Sequence, residues 1–266
     1  MLKRIRQWLL EPRVRGVDVD DNALLTIHSA VLREKALLRS TFSTFYRDMI
    51  HLCDLWLSVP GSELELGSGA GFFKTLRPGL VTSDVRRGPN IDLEIDALSM
   101  ALGDHSVRCI YAINVFHHLP DPDRFFKELS RVLIPGGGCI LIEPHSGPAS
   151  AWLHRNLHAD EVFIPDAPDW RNEGIGGPLS GANQALADIV FRRDRKRFDD
   201  SHGQSLEIVY QGYELNGLRY LLSGGLNFRQ LLPDFMAAPL AALERLAGPL
   251  ARWWSLHQVI VLRRRA

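Results

Sequence analysis

The chain has 266 residues, enough for one large domain with additions or two small ones. Apolar residues make up 45% of it, which supports a sizeable core, and Lys+Arg and Asp+Glu number 31 each, so a net charge of zero argues against a general polyanion binder. No apolar run reaches the length of a membrane span, and Cys53, Cys109 and Cys139 form no Cys-x-x-Cys pair, so they read as small core residues in a reducing compartment, the cytoplasm.

Met1 to Leu10 is basic, but its apolar run Trp8-Leu9-Leu10 is too short for a secretory signal. Leu2, Ile5 and Leu9 would share one helical face, either covering the domain or making weak peripheral contact with a membrane. Residues 22–58 are expected to be helical, because Phe42, Phe45, Tyr46, Met49, Ile50 and Cys53 recur at three- and four-residue steps before Pro60-Gly61. Ser62 to Leu66 then reads as a strand that runs into Gly67-Ser68-Gly69-Ala70-Gly71. Without a Cβ, glycine lets the backbone bend through positive φ and a ligand come against it. A strand feeding such a turn and then a helix is a nucleotide-binding arrangement; the plainer alternative is a tight strand-to-helix turn. The dinucleotide spacing Gly-x-Gly-x-x-Gly would put glycine at position 72, where the chain has Phe72.

The helix after this turn is expected to be short, stopped by Pro78-Gly79. Leu80 to Val85 reads as the second strand, ending at Asp84. Arg86 to Asn90 is too short and too rich in Gly-Pro for a crossover helix, so a loop should join it to a third strand, Ile91 to Asp96. Val107 to Ile113 is a mostly apolar, buried fourth strand. Asn114-Val115-Phe116-His117-His118-Leu119-Pro120-Asp121 follows, and Asp121-Pro122 starts a helix with a buried stripe of Phe125, Phe126, Leu129, Val132 and Leu133. Pro135-Gly136-Gly137-Gly138 should stop it before a fifth strand, Cys139 to Glu143.

Residues 146–182 hold Pro148, Pro165, Pro168 and Pro178 with Trp152, Phe163 and Trp170. They read as an irregular insert: a lid over the substrate side with a hinge at Gly174 to Pro178 and a contact loop from Pro178 to Asn183, or a set of structural turns. Ala185 to Phe198 is expected to be helical, with Arg192 to Arg197 on a solvated face or, alternatively, on a phosphate. Leu206 to Tyr210 is a sixth strand, Leu226 to Leu246 is mostly helical with breaks at Pro233 and Pro239, and His257 to Leu262 is the last strand. No residue spacing suggests a metal site.

Glu65-x-Gly67-x-Gly69-x-Gly71 resembles motif I of the class I S-adenosylmethionine (SAM) methyltransferases. His118-Leu119-Pro120-Asp121 and the Leu133-x-Pro135-Gly136-Gly137 turn are similar to the small-molecule members of the quinone-biosynthesis type. The resemblance covers residues 62 to 145, about a third of the chain. It implies an α/β fold: a Rossmann-like, seven-stranded, mostly parallel sheet closed by a C-terminal antiparallel hairpin. The sheet would lie in residues 61–266 with the insert at 146–182, and residues 1–60 would form an N-terminal helical cap. His28, Arg39 and Tyr46 of the cap would be candidate substrate contacts, with packing the alternative for Tyr46.

In an open α/β sheet, ligands bind outside the carboxyl ends of the strands, where Glu65, Asp84, Asp96 and Asn114 stand. The resemblance makes SAM the expected cofactor. Its methionine end would lie along Gly67, Ser68, Gly69 and Gly71, with Glu65 near the ammonium. Asp84 would take the ribose diol, which suits a carboxylate's two acceptor oxygens. Asp96-Ala97 would meet the adenine. The expected reaction is in-line methyl transfer to a small molecule or sugar-containing metabolite, on oxygen. His118 or His145 would take the acceptor's proton, or else hold the loop's shape. Two other readings stand beside it. One is a macromolecule (RNA or protein) methyltransferase, against which zero net charge and the lack of an Asn/Asp-Pro-Pro-aromatic run after the fourth strand both weigh; no nucleic-acid partner is expected. The other is a non-catalytic SAM-binding protein.

Overall fold

A computed structural model of the chain describes residues 7–18, 20–157, 162–171 and 181–266. Seven strands form one sheet: β1 Ser62–Leu66, β2 Val81–Asp84, β3 Leu93–Glu94, β4 Val107–Ile113, β5 Leu133–Pro144, β6 Leu206–Tyr213 and β7 His257–Arg264. Their order is β3-β2-β1-β4-β5-β7-β6. β1 to β5 pair in parallel, and β7 runs antiparallel to both β5 and β6. This is the Rossmann-like, mostly parallel sheet that the sequence implied. The strand order turns back at β1, which has β2 on one side and β4 on the other, so a crevice opens at the carboxyl end of β1.

Both faces of the sheet are covered, which is why β4, β5 and β7 are mostly apolar, whereas β1 alternates leucine with Glu63 and Glu65. On one face lies α2 (Ala36–Trp56), following α1 (Ala23–Glu34). Its Phe45, Tyr46, Met49 and Cys53 pack against Cys109, Tyr111, Ile140 and Val261. On the other face, α3 (Pro122–Val132) sets Phe125, Phe126 and Leu129 against Ile110 and Leu141. Asp121 caps α3 by accepting the Arg124 N–H. Trp170, Phe191 and Phe198 extend that core. The three cysteines are buried and unbridged. No helix among the described residues is long and apolar enough to cross a membrane.

Several elements differ from expectation. The glycine turn opens into a 3-10 turn, Phe72–Thr75, with no α-helix before Pro78. β3 is only two residues long: Asp92 Oδ2 takes the Thr82 N–H and hydroxyl, which leaves the Asp92 N–H bond to Thr82 O as the backbone pairing there. β5 begins directly after α3 and runs through the glycine run that was expected to be a stop. The 146–182 insert is not irregular throughout: α4 spans Pro148–Leu157. The 185–198 helix is broken. Leu186–Asp188 continues as a π-turn, Ile189–Arg193, and α5 resumes at Arg195–His202. Its charges are paired, Arg192 with Asp188, Arg195 with Asp199, Lys196 with Asp200 and Arg197 with Asp169, as a solvated face requires. Leu2 and Ile5 of the N-terminal face, and the 174–178 hinge with the first part of the 178–183 loop, lie outside the described residues.

β6 and β7 are antiparallel neighbours but not a tight hairpin. Between them the chain leaves the sheet for α6 (Gly217–Ser223), a strap from Gly224 to Leu231 that begins as a turn at Gly224–Asn227, α7 (Ala237–Leu246) and α8 (Ala251–Trp254). Residues 226–233 are therefore not helical, contrary to expectation. The strap pairs with the N-terminal segment instead, through an antiparallel bridge from Leu10 to Phe228 and a bond from Arg229 N to Leu9 O. The two ends of the excursion are tied together: Glu214 N donates to His257 O, and Ser255 Oγ lies 2.7 Å from both Glu214 O and His257 O.

Candidate active site

The tip of β1 is built by close backbone approach. Gly67 has φ 64°, and a Cβ there would stand 2.4 Å from Val115 Cγ2. Gly71 has φ 67°, and a Cβ there would meet Asn90 Cβ at 2.5 Å. Only glycine adopts this left-handed backbone without strain and leaves room for both neighbours. Ser68 pins the turn to β2, donating its N–H to Ser83 O at 2.8 Å and accepting the Ser83 N–H on its hydroxyl at 3.0 Å.

Glu65 is 2% exposed at the end of β1. Burial pushes its carboxyl up to about 8; hydrogen bonds from Ser68 and Tyr46 oppose the rise and the nearby Asp84 charge adds to it. One carboxyl oxygen, Oε2, is buried with no hydrogen-bond partner among the described residues. Such an atom is costly to leave unmet, and a cationic donor at that point would satisfy it. A glycine cradle beside an unmet carboxyl oxygen fits the aminoacyl end of SAM.

Asp84 stands at the end of β2, buried, with Oδ2 accepting the Gly69 N–H at 3.2 Å and Oδ1 the Arg86 N–H at 3.0 Å. Oδ1 also lies 3.4 Å from the Arg86 Nε, so the lone pair left over is on Oδ2. Asp96 is exposed and turns Oδ1 onto the Leu98 N–H at 2.8 Å, beside the buried Ala97. Asn114, directly after β4, has φ 55°, a rare conformation for a residue with a side chain, and its Oδ1 is buried without a partner.

From Asn114 a cavity of about 380 Å³ opens under α4, α6 and the strap. Leucines make much of its wall, Leu153, Leu221, Leu226 and Leu256 among them, and His117, His118, His154 and His257 line it as well. Behind His117 sits Glu143, fully buried at the end of β5. One of its oxygens accepts the N–H of Val115 at 2.9 Å and of Phe116 at 2.7 Å; the other accepts the N–H of His117 at 3.2 Å and its Nδ1–H at 2.6 Å. One carboxylate thus shapes the loop after β4 and fixes His117 with its proton on Nδ1, which makes Nε2 the basic nitrogen.

His118 also lines the cavity, its ring 4.2 Å from that of His117. His145 does not: its Nε2 lies 3.2 Å from Arg252 O and its Nδ1 3.4 Å from Asp188 Oδ2. That position corrects the expectation that His145 faces the acceptor, since its ring is held against α8 instead. Tyr46 is a buried core residue, stacked on Phe73 at 4.2 Å with its hydroxyl close to the Glu65 carboxyl. Arg39 donates to the Leu32 and Arg33 carbonyls at the end of α1. His28 reaches the cavity only through Asn227, whose Oδ1 lies 2.9 Å from its Nε2. Sequence reasoning missed Glu143 and His117 as a pair. The available signal was an acid ending the fifth strand and a doubled histidine after the fourth.

A family model described as a methyltransferase domain matches residues 76–141, about a quarter of the chain. The tocopherol O-methyltransferase of Arabidopsis thaliana chloroplasts is 36% identical over 69 residues, 26% of this chain and 18% of that protein. A probable tocopherol O-methyltransferase of rice, Oryza sativa subsp. japonica, is 32% identical over 72 residues, 27% of this chain and 18% of that protein. The match therefore spans less than a fifth of the length of these curated relatives. Among solved structures, the geranyl diphosphate C-methyltransferase of Streptomyces coelicolor superposes with a TM-score of 0.48 at 14% identity, covering 97% of this chain and 89% of that one.

Proposed function

We propose that this chain, which carries a class I SAM-dependent methyltransferase domain, methylates an oxygen of a small, mostly apolar molecule held in the cavity beyond Asn114. The observation that carries the reading is the partnerless Oε2 of buried Glu65 beside three glycines in left-handed conformation. Bound SAM supplies an activated methyl group and a neutral thioether as leaving group.

The chain's own residues then bind, align and take a proton. Glu65 holds the ammonium, and the Gly67–Gly71 backbone, fixed by Ser68, accepts close contact. Asp84 takes the ribose diol, one hydroxyl on the open lone pair of Oδ2 and the other on Oδ1 in place of the Arg86 Nε contact, and Asp96 with Ala97 meets the adenine. Asn114 faces the acceptor side. As the new O–C bond forms and the C–S bond breaks, the acceptor's hydroxyl proton passes to Nε2 of His117. Glu143 stabilises the resulting imidazolium through Nδ1. His118, next to it in the wall, is the second candidate for that proton. Alignment and exclusion of water by the leucine wall account for most of what the protein must do, since the donor is already activated. Oxygen as the acceptor atom is favoured by the need for a positioned base and by the named activity of both sequence relatives.

Calorimetry with S-adenosylhomocysteine tests the first half: folded protein that gives no heat at high micromolar ligand would sink the reading. Transfer of labelled methyl from SAM into an extract, with the label recovered in base-stable ethers, tests the second. Label recovered only in RNA or protein would refute the small-molecule acceptor.

A further inference from the structure

The cavity wall states what kind of acceptor it suits. Among the described residues that line it, Arg229 alone carries a permanent charge, and no carboxylate lines it. The Nε of Arg229 is buried with no hydrogen-bond partner among the described residues. Its backbone is fixed by the bond from its N–H to Leu9 O at 2.7 Å, and its guanidinium lies 5.7 Å from the ring centre of Trp8, itself 63% exposed. The charge therefore sits at the solvent side of an apolar chamber. The nearby Lys35 is not available, since its ammonium donates to the Gly225 and Phe228 carbonyls and lies 3.5 Å from Glu11.

Toward the strand tips the unmet groups have the opposite character. Asn114 Oδ1 and Gln184 Oε1 are both buried acceptors without partners, and Gln184 is only 4% exposed. An occupant that satisfies the whole wall offers a hydrogen-bond donor at the inner end, apolar surface in the middle and an anion at the outer end. An ammonium-bearing occupant would meet an arginine and no counter-charge, so it is selected against.

We propose that the methyl acceptor is a hydroxylated, mostly apolar carboxylic acid, its hydroxyl at the end of the cavity lined by Asn114, His117 and Gln184, where its one proton rests on an amide oxygen before passing to His117, and its carboxylate on Arg229. This rests on the methyltransferase reading above. The planar guanidinium fork matches a carboxylate with two parallel N–H bonds. The volume, about 380 Å³, lies at the small end of ordinary small-molecule sites, which suits one ring with a short chain.

The test uses three probes of equal chain length: a para-hydroxyphenyl alkanoic acid, its methyl ester and the corresponding para-hydroxyphenyl alkylamine. Each is titrated by calorimetry into the full chain, with and without S-adenosylhomocysteine. The acid should bind about tenfold to a hundredfold more tightly than the amine, as a charge-assisted pair requires. Arg229→Gln should bring the acid down to the level of the ester, Arg229→Lys should keep part of the preference, and neither should change the affinity for S-adenosylhomocysteine. Equal binding of acid and amine, an acid preference that survives Arg229→Gln, or no binding of any probe overturns the proposal. If S-adenosylhomocysteine gives no heat while the acid preference persists, the methyl-transfer reading falls and the acid site stands.

Discussion

Glu65→Gln is the substitution that reports most directly on the strand tips. In the folded chain burial holds this carboxyl near 8, against 4.5 for the ordinary group. A raised folded-state value means that between those two pH values the folded form keeps a proton the unfolded form has released. Stability is therefore fully present below about pH 4.5 and falls as pH rises through the window, until the carboxyl is ionised in both states above 8. At 1.36 kcal/mol per pH unit the whole loss is on the order of 5 kcal/mol. Glutamine does not titrate, so Glu65→Gln without ligand should melt above the wild type at pH 8.5 and close to it at pH 5. A ligand whose ammonium needs the carboxylate reverses the sign. Its binding must expel the proton, so at pH 7 close to one proton, about nine-tenths, leaves per ligand, and affinity climbs about tenfold per pH unit up to 8. Calorimetry of S-adenosylhomocysteine in buffers of different ionisation enthalpy reads the proton directly, and paired thermal melts read the stability. Melting curves for the two proteins that run parallel from pH 5 to 8.5, with no proton released on binding, would refute the placement of the ammonium at Glu65.

Gly67→Ala should abolish S-adenosylhomocysteine binding and lower the melting temperature, because its Cβ would sit 2.4 Å from Val115 Cγ2. Gly69→Ala meets nothing nearer than 3.9 Å, so it should cost only the left-handed strain, about 1–2 kcal/mol, in the same melt. Asp84→Ala should weaken S-adenosylhomocysteine at least about tenfold, as loss of charge-assisted bonds predicts; unchanged calorimetric affinity would mean the ribose lies elsewhere. His117→Gln should lower kcat by about a hundredfold or more, with part of the rate returning as pH approaches the acceptor's own pKa; an unaltered pH–rate profile would move the proton to His118. Glu143→Gln turns an amide NH₂ toward backbone N–H donors and should destabilise the fold by about 2–3 kcal/mol, read by urea denaturation.

The cofactor half of the site was legible because its signals are local. Strand, glycine turn and terminal acid follow one another in sequence, and the glycine at 71 with Phe72 separates one spacing from the other without any knowledge of tertiary contacts. The acceptor half was not legible, because its signals are distant pairings. Which of His117, His118 and His145 is oriented depends on a carboxylate 26 residues further along the chain from His117, and on the α8 carbonyl that holds His145. β3 is shorter than alternation implies because alternation alone does not reveal that the Asp92 side chain takes the Thr82 N–H a longer ladder would use. Arg229 and Gln184 carried no sequence signal at all, since an ordinary surface arginine and glutamine look the same until burial leaves an Nε and an Oε1 without partners.

The excursion between the last two strands has a bearing on how such a chain can diversify. Its two ends meet at Glu214, Ser255 and His257, held by hydrogen bonds of 2.7 to 3.0 Å, so the sheet's edge is closed whatever lies between. The strap and α6 that roof the chamber come from within it, whereas the glycine turn and the strand-end acids lie far upstream. A graft of a foreign segment onto that clasp would exchange the guest molecule while leaving the donor pocket as inherited.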